Sequence, residues 1–140
     1  MTLNTYLFFD GNCQEAFEFY RSVFGGEFSE FHLYAEMPDG PPLSDEEKAR
    51  VMHVSLPMGT SVLMGSDSCQ AFGGPPTSGD NFAISIEGQS KAHCDDLCAK
   101  LSAGGTVKMP MGETFWGAYF GNWTDKFGIN WMINFSLDPS

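Results

Sequence analysis

The sequence predicts an α+β fold of two tandem βαβββ modules, and three observations predict it. Two stretches share one order of strand, acidic-glycine turn, capped helix and glycine pair: FFDGN leading to FGGEF, then SIEGQ leading to AGGTV. Apolar residues favour strand patterns before each turn and recur at helical spacing after it. A single composition break, rich in Gly, Pro and Ser, separates the stretches at about residues 65–80. Module one is therefore placed at about 1–67 and module two at about 80–136 of one domain. One helix covers only one face of a short mixed sheet, so neither module closes a core alone. The two sheets are expected to curl together into a cleft, the natural place for a ligand.

The elements follow in order. Thr2 to Phe9 is β-branched and aromatic and stops at Asp10-Gly11, which reads as a strand and turn. Asn12 suits a helix cap, with Glu15 completing a capping box, and Ala16, Phe17, Tyr20, Val23 and Phe24 keep helical spacing. That predicts a helix over Cys13 to Phe24, closed by Gly25-Gly26. Glu27 to Glu36 reads as a strand, and the Pro/Gly loop after it allows a helical turn following Ser44. Val51 to Leu56 and Ser61 to Met64 read as a hairpin around Pro57-Met58-Gly59. In the second half, Asn81 to Ile86 reads as a strand, Ser90 caps a helix to about Ser102, and Gly104-Gly105 closes it. Ala118 to Ile133 reads as a second hairpin turning at Asp125-Lys126-Phe127-Gly128, with the last strand at Ile129 to Phe135.

Composition narrows the function. At 140 residues, 42% of them hydrophobic and 13 of them Phe, the chain can bury roughly two-thirds of its unfolded surface. Seven Lys and Arg against 18 Asp and Glu leave a formal net charge of −11. Such a field repels a phosphate backbone and an anionic membrane alike, so nucleic acid and membrane are excluded as partners. It favours a neutral or cationic small molecule. The N-terminal MTLNTYLFFDGN has no basic segment before an apolar run, and no stretch nears the roughly 20 apolar residues of a membrane span. A cytoplasmic location is expected. Cys13, Cys69, Cys94 and Cys98 are expected to be free thiols, since this much apolar content needs no staples.

Three separated motifs, YLFFDGNCQEAFEFYRSVFGGE, VMHVSLPMGTSVLMGSD and ETFWGAYFGNWTDKFGINWMIN, resemble the PhnB-like branch of the vicinal oxygen chelate superfamily, relatives of glyoxalase I and of bleomycin-resistance proteins. The likeness runs from about Leu3 to Phe135. It implies paired βαβββ modules, a U-shaped cleft, frequent homodimers and, in many members, a divalent metal. That metal is held by one side chain from the first and last strand of each module, typically His, Glu, His and Glu. Here those places fall at Asn4 or Thr5, Leu63 or Met64, Asn81 and Met132. Carboxamide, hydroxyl, aliphatic and thioether groups are poor ligands for a hard or borderline divalent ion. The usual metal site is therefore expected to be absent, and no cofactor is expected. Relatives of this branch also carry a ubiquinone methyltransferase name. The sequence lends it no support: Gly73-Gly74 sits in a linker and Gly104-Gly105 at a helix end, and neither forms a phosphate-binding turn after a strand.

Candidate chemistry rests on few residues. His53 alternates with Met52 and Val54 on a strand and shares a face with Ser55, so a neutral imidazole there can serve as general base or ligand anchor. Its competing reading is a hydrogen-bonded structural histidine. Glu113, in MPMGETFWG, is the candidate carboxylate, against a solvated loop charge. Tyr6, Phe8, Met64, Phe115, Trp116 and Trp123 are the candidate ligand-binding residues, since aromatic faces with polar edges suit a flat or cationic guest. Cys94, Leu97, Cys98 and Leu101 fall on one helical face and read as core, and Asp125 reads as a turn cap. The leading expectation is a homodimeric, metal-free protein that binds a small molecule in an aromatic cleft. The alternatives are a metal-dependent lyase or isomerase with relocated ligands, and a metal-independent enzyme with His53 as base.

Overall fold

The computed structural model describes residues 1–137. Its chain divides into two units, Met1–Thr77 and Ser78–Ser140. In the first unit β1 (Thr5–Phe9), α1 (Cys13–Phe24), β2 (Glu30–Leu33), α2 (Asp45–Lys48), β3 (Val51–Met58) and β4 (Ser61–Asp67) follow one another. Their strands form a four-stranded sheet in the order β1-β4-β3-β2. In the second unit β5 (Ile84–Glu87), α3 (Lys91–Leu101), β6 (Thr106–Glu113), β7 (Ala118–Thr124) and β8 (Asn130–Ser136) build the matching sheet β5-β8-β7-β6. In each, the first strand runs parallel to the last and the remaining pairs are antiparallel. The α+β class and the paired βαβββ order are as the sequence predicts. Among the described residues no helix is long and apolar enough to cross a membrane.

Alternation along paired strands assigns each side chain to a face. In the first unit Leu7, Phe9, Val54, Leu56 and Leu63 are buried with Phe17 and Tyr20 of α1. Phe9 meets Phe17 edge to face at 6.2 Å. Gly65 lies beneath Phe17, where a Cβ would come within 2.5 Å of the ring. In the second unit Trp123, Trp131 and Ile133 are buried, as are Cys94, Leu97, Cys98 and Leu101 of α3. The predicted apolar face of that helix is the buried one. All four cysteines are free and buried.

Several local expectations change. The first strand begins at Thr5 rather than Thr2. Asn12 makes no side-chain cap. The buried carboxylate of Asp67 takes its place, its Oδ1 accepting from the N–H groups of Gly11 at 2.8 Å and Cys13 at 3.0 Å. Only Glu30–Leu33 of the predicted Glu27 to Glu36 strand pairs, and Tyr34–Glu36 forms a 3₁₀ turn. There the Glu36 carboxylate accepts from Leu33 N at 2.6 Å, while Tyr34 N still donates to Arg50 O at 3.0 Å. Pro57 and Met58 remain in β3, so the hairpin turns at Gly59-Thr60, and β4 continues past Met64 to Asp67. Pro57 can stay because β2 pairs with β3 no further than Ser55, so the proline sits where β3 is an edge on that side and no ladder donor is needed. β5 starts at Ile84, later than predicted.

The strand β6 is absent from the sequence reading. It departs from regular register between Val107 and Met109 and again between Met109 and Gly112. Each irregularity breaks the period-two pattern by which strands are recognised. Ser90 and Asp125 act as expected. Ser90 Oγ accepts from His93 N at 3.0 Å, and Asp125 Oδ1 accepts from Phe127 N and Ile129 N across the turn.

Candidate functional site on the open face of the first sheet

With Leu7 and Phe9 turned to α1, Tyr6 and Phe8 stand on the opposite, open face of the first sheet. Parallel pairing puts Met64 beside Tyr6 and Ser66 beside Phe8. Antiparallel pairing sets Ser55 opposite Met64 and Glu30 opposite Ser55, and brings His32 across from His53. Strand register therefore gathers Tyr6, Phe8, Glu30, His53, Ser55 and Met64 on one surface.

These residues are linked. Tyr6 Oη lies 3.0 Å from His53 Nδ1, and the two rings stack with centroids 5.6 Å apart. On the other side of the imidazole, Nε2 lies 2.8 Å from Ser55 Oγ and 3.1 Å from Glu30 Oε2. The His53 side chain is 25% exposed. Phe8, 62% exposed, packs on Tyr6 with centroids 5.1 Å apart. The surface combines a solvent-reachable imidazole, a phenol, a hydroxyl and a carboxylate with an apolar floor of Phe8 and Met64. Such a set can orient a flat guest by ring contact and exchange hydrogen bonds or a proton with it.

Of the residues singled out from sequence, Tyr6, Phe8, His53 and Met64 come together here. Glu113 belongs to the second unit, where Lys91 Nζ donates to Oε1 at 2.7 Å. That ammonium holds the Glu113 carboxyl below its usual range. Phe115 and Trp116 occupy the loop between β6 and β7, with Phe115 98% exposed and set edge to face against Trp116. Trp123 is only 1% exposed and faces the α3 side of its sheet. Its Nε1 has no hydrogen-bond partner among the described residues. Trp131 Nε1, by contrast, donates to Asp125 Oδ2 at 2.8 Å.

Glu30 escaped the sequence reading. Its signal is the alternation Glu30-Phe31-His32-Leu33, polar on one face, but only the β2–β3 register brings that face to His53. Hollows also lie elsewhere. One of about 320 Å³ is bounded by Tyr34, Met37 and Pro41 in the first unit. Another, of about 430 Å³, is bounded by Phe82, Lys108, Asn122 and Trp131 in the second. Neither includes a histidine, so the chemistry concentrates on the open face and not in these hollows.

The four chelating places can also be read from the structure. Thr5 and Leu63 pair with each other and Leu63 is buried, which turns both toward α1. Asn4 Oδ1 accepts from Val62 N at 3.0 Å. The groups at the other places are the Met64 and Met132 thioethers and the Asn4 and Asn81 carboxamides. Two thioethers and two carboxamides are a poor set for a hard or borderline divalent cation, which prefers carboxylate oxygen or imidazole nitrogen. Among the described residues, no three His, Cys, Asp or Glu side chains converge where a metal ion could be held.

Residues 2–133 match the family described as the Glyoxalase/Bleomycin resistance protein/Dioxygenase superfamily. Protein YjdN of Escherichia coli K12 is 32% identical over 142 aligned positions, covering 96% of this chain and 95% of that protein. The crystal structure of protein PA1353 from Pseudomonas aeruginosa superimposes with a TM-score of 0.86 at 38% identity, covering 99% of both chains. A Bacillus cereus structure, described as a putative 3-demethylubiquinone-9 3-methyltransferase, PhnB protein, shares the fold with a TM-score of 0.77 at 23% identity, over 97% of this chain and 100% of that one.

Proposed function

Because the chain belongs to the glyoxalase/bleomycin resistance protein/dioxygenase superfamily, we propose that it binds a small organic molecule on the open face of its first sheet, without the metal found in many relatives. One observation carries this reading: a hydrogen-bonded Tyr6-His53-Ser55 set lies beside an exposed Phe8 that no core requires. A floor of that kind buries an aromatic or aliphatic body, and the polar groups fix its orientation. Phe115 and Trp116 offer a second exposed aromatic surface in the other unit. Four free cysteines suit a reducing cytoplasm, and the resemblance implies a homodimer.

The test is to release and identify by mass spectrometry whatever co-purifies with the native protein, then to measure its affinity for wild type, Phe8→Ala and His53→Ala. Both variants should bind at least tenfold more weakly with unchanged melting temperature. Equal affinity in all three would remove the open face from the reading. The metal-free part is tested by elemental analysis of protein purified without chelator and a melting screen over zinc, nickel and manganese. Stoichiometric metal with a sizeable stabilisation would overturn it.

A second reading is favoured by the contacts of His53 itself. Its imidazole has a phenol on one nitrogen and a carboxylate on the other, the arrangement of an oriented general base in metal-independent chemistry. Once a substrate is known, His53→Ala should then abolish turnover, and an unchanged rate would dismiss the enzyme reading. The 3-demethylubiquinone-9 3-methyltransferase name belongs to the Bacillus cereus protein and does not enter this proposal.

A further inference from the structure

We propose that Glu30 sets the direction of the chain Glu30-His53-Tyr6, so that the open face offers the Tyr6 oxygen as an acceptor and selects ligands carrying a hydrogen-bond donor. This inference rests on the small-molecule reading of that face.

An ionised carboxylate can only accept. Glu30 Oε2 stands 3.1 Å from His53 Nε2. A bare Nε2 lone pair there would face a negative oxygen, so Nε2 carries the proton of the neutral ring. Ser55 Oγ, 2.8 Å from the same nitrogen, is then the hydrogen-bond acceptor of that N–H, and Glu30 holds the proton there through its charge. In a neutral imidazole a protonated Nε2 leaves Nδ1 bare. Nδ1 lies 3.0 Å from Tyr6 Oη, so the phenol must donate its hydrogen inward. What Tyr6 then shows a guest is a phenolic oxygen with lone pairs and no hydrogen left to give.

The consequence is chemical selectivity. A hydroxyl, amide N–H or ammonium group can bond to that oxygen, while an ether or a carboxylate finds only repulsion. The nearby Glu30 carboxylate and the net charge of −11 act in the same sense, against anions and for neutral or cationic donors. Phe8 and Met64 supply the apolar bed next to the acceptor. The inferred ligand class is a compact aromatic or aliphatic body bearing a donor, such as a phenol, alcohol or amine. Glu30 is a positioning residue here, since it acts through His53.

Two measurements test it. Long-range proton–nitrogen correlation spectra of the ¹⁵N-labelled protein, taken where His53 is neutral, should show Nε2 protonated and Nδ1 bare in the wild type, and a shift toward a mixture of both forms in Glu30→Ala. Titration with 4-methylphenol should perturb Tyr6 and His53 and give an affinity about three- to tenfold above that of 4-methylanisole, which lacks only the donor. Tyr6→Phe should erase the difference. A proton on Nδ1 in the wild type, or equal affinity for phenol and ether, overturns the proposed direction while leaving the site reading standing. Silence from both probes on this face overturns the site reading itself.

Discussion

Asp67 provides the sharpest test of how the first unit holds together. Its buried carboxylate accepts from Gly11 N at 2.8 Å and Cys13 N at 3.0 Å through Oδ1, and from Val51 N at 2.9 Å through Oδ2. One side chain thereby caps α1, holds the turn before it and anchors the start of β3. Hydrogen bonds to a charged group contribute roughly 1.5–3 kcal/mol each, and a buried donor left without a partner costs about 1–3 kcal/mol. Gly11 N is only partly buried and can recover water, while Cys13 and Val51 are fully enclosed. Asp67→Ala should therefore destabilise the protein by about 3–5 kcal/mol, dominated by the two enclosed N–H groups. Asp67→Asn keeps one oxygen for the turn and the helix but sets an amide donor against Val51 N, and should cost about 2 kcal/mol. Urea unfolding followed by tryptophan fluorescence measures both, read as a shift in midpoint at unchanged slope. A loss below about 1 kcal/mol for the alanine variant, or alanine no worse than asparagine, would refute the capping role.

Other outcomes follow from the same structure. Trp131→Phe removes an indole N–H that donates to Asp125 Oδ2, whereas Trp123→Phe removes a donor that has no hydrogen-bond partner among the described residues, so the first should unfold at clearly lower urea. Gly65→Ala forces a methyl against the Phe17 ring and should cost about 1–3 kcal/mol, and Phe17→Leu in the same background should recover part of it in the same titration. Glu47 accepts from Ser44 N, Cys69 Sγ and Gln70 N, contacts that lower its pKa from 4.5 to about 2. A depressed folded pKa gives stability that is full above about 4.5 and lost as pH falls toward about 2. The gap between wild type and Glu47→Gln, followed by circular dichroism in fixed urea, should hold constant from pH 7 to 5 and close below that.

Features that depend on neighbours along the chain can be read from the residues alone. The repeat of turn, helix and glycine pair is legible because a helix writes its period within a dozen residues, and α1 carries the predicted bounds Cys13–Phe24. The Ser90 cap, the Asp125 turn and the core face of α3 were legible for the same reason. Tertiary structure decided what depends on strand register. His53 could be singled out as a strand histidine beside Ser55, but its Tyr6 and Glu30 partners arrive from β1 and β2, far away in the chain. Asp67 could not be read as the cap of α1, because the donors it satisfies lie more than fifty residues earlier. Bulged β6 hid its strand character until pairing with β7 supplied it. The physical reason is common to all three: period and turn chemistry are local properties of the backbone, whereas pairing and burial are properties of segments that meet only when the chain has folded.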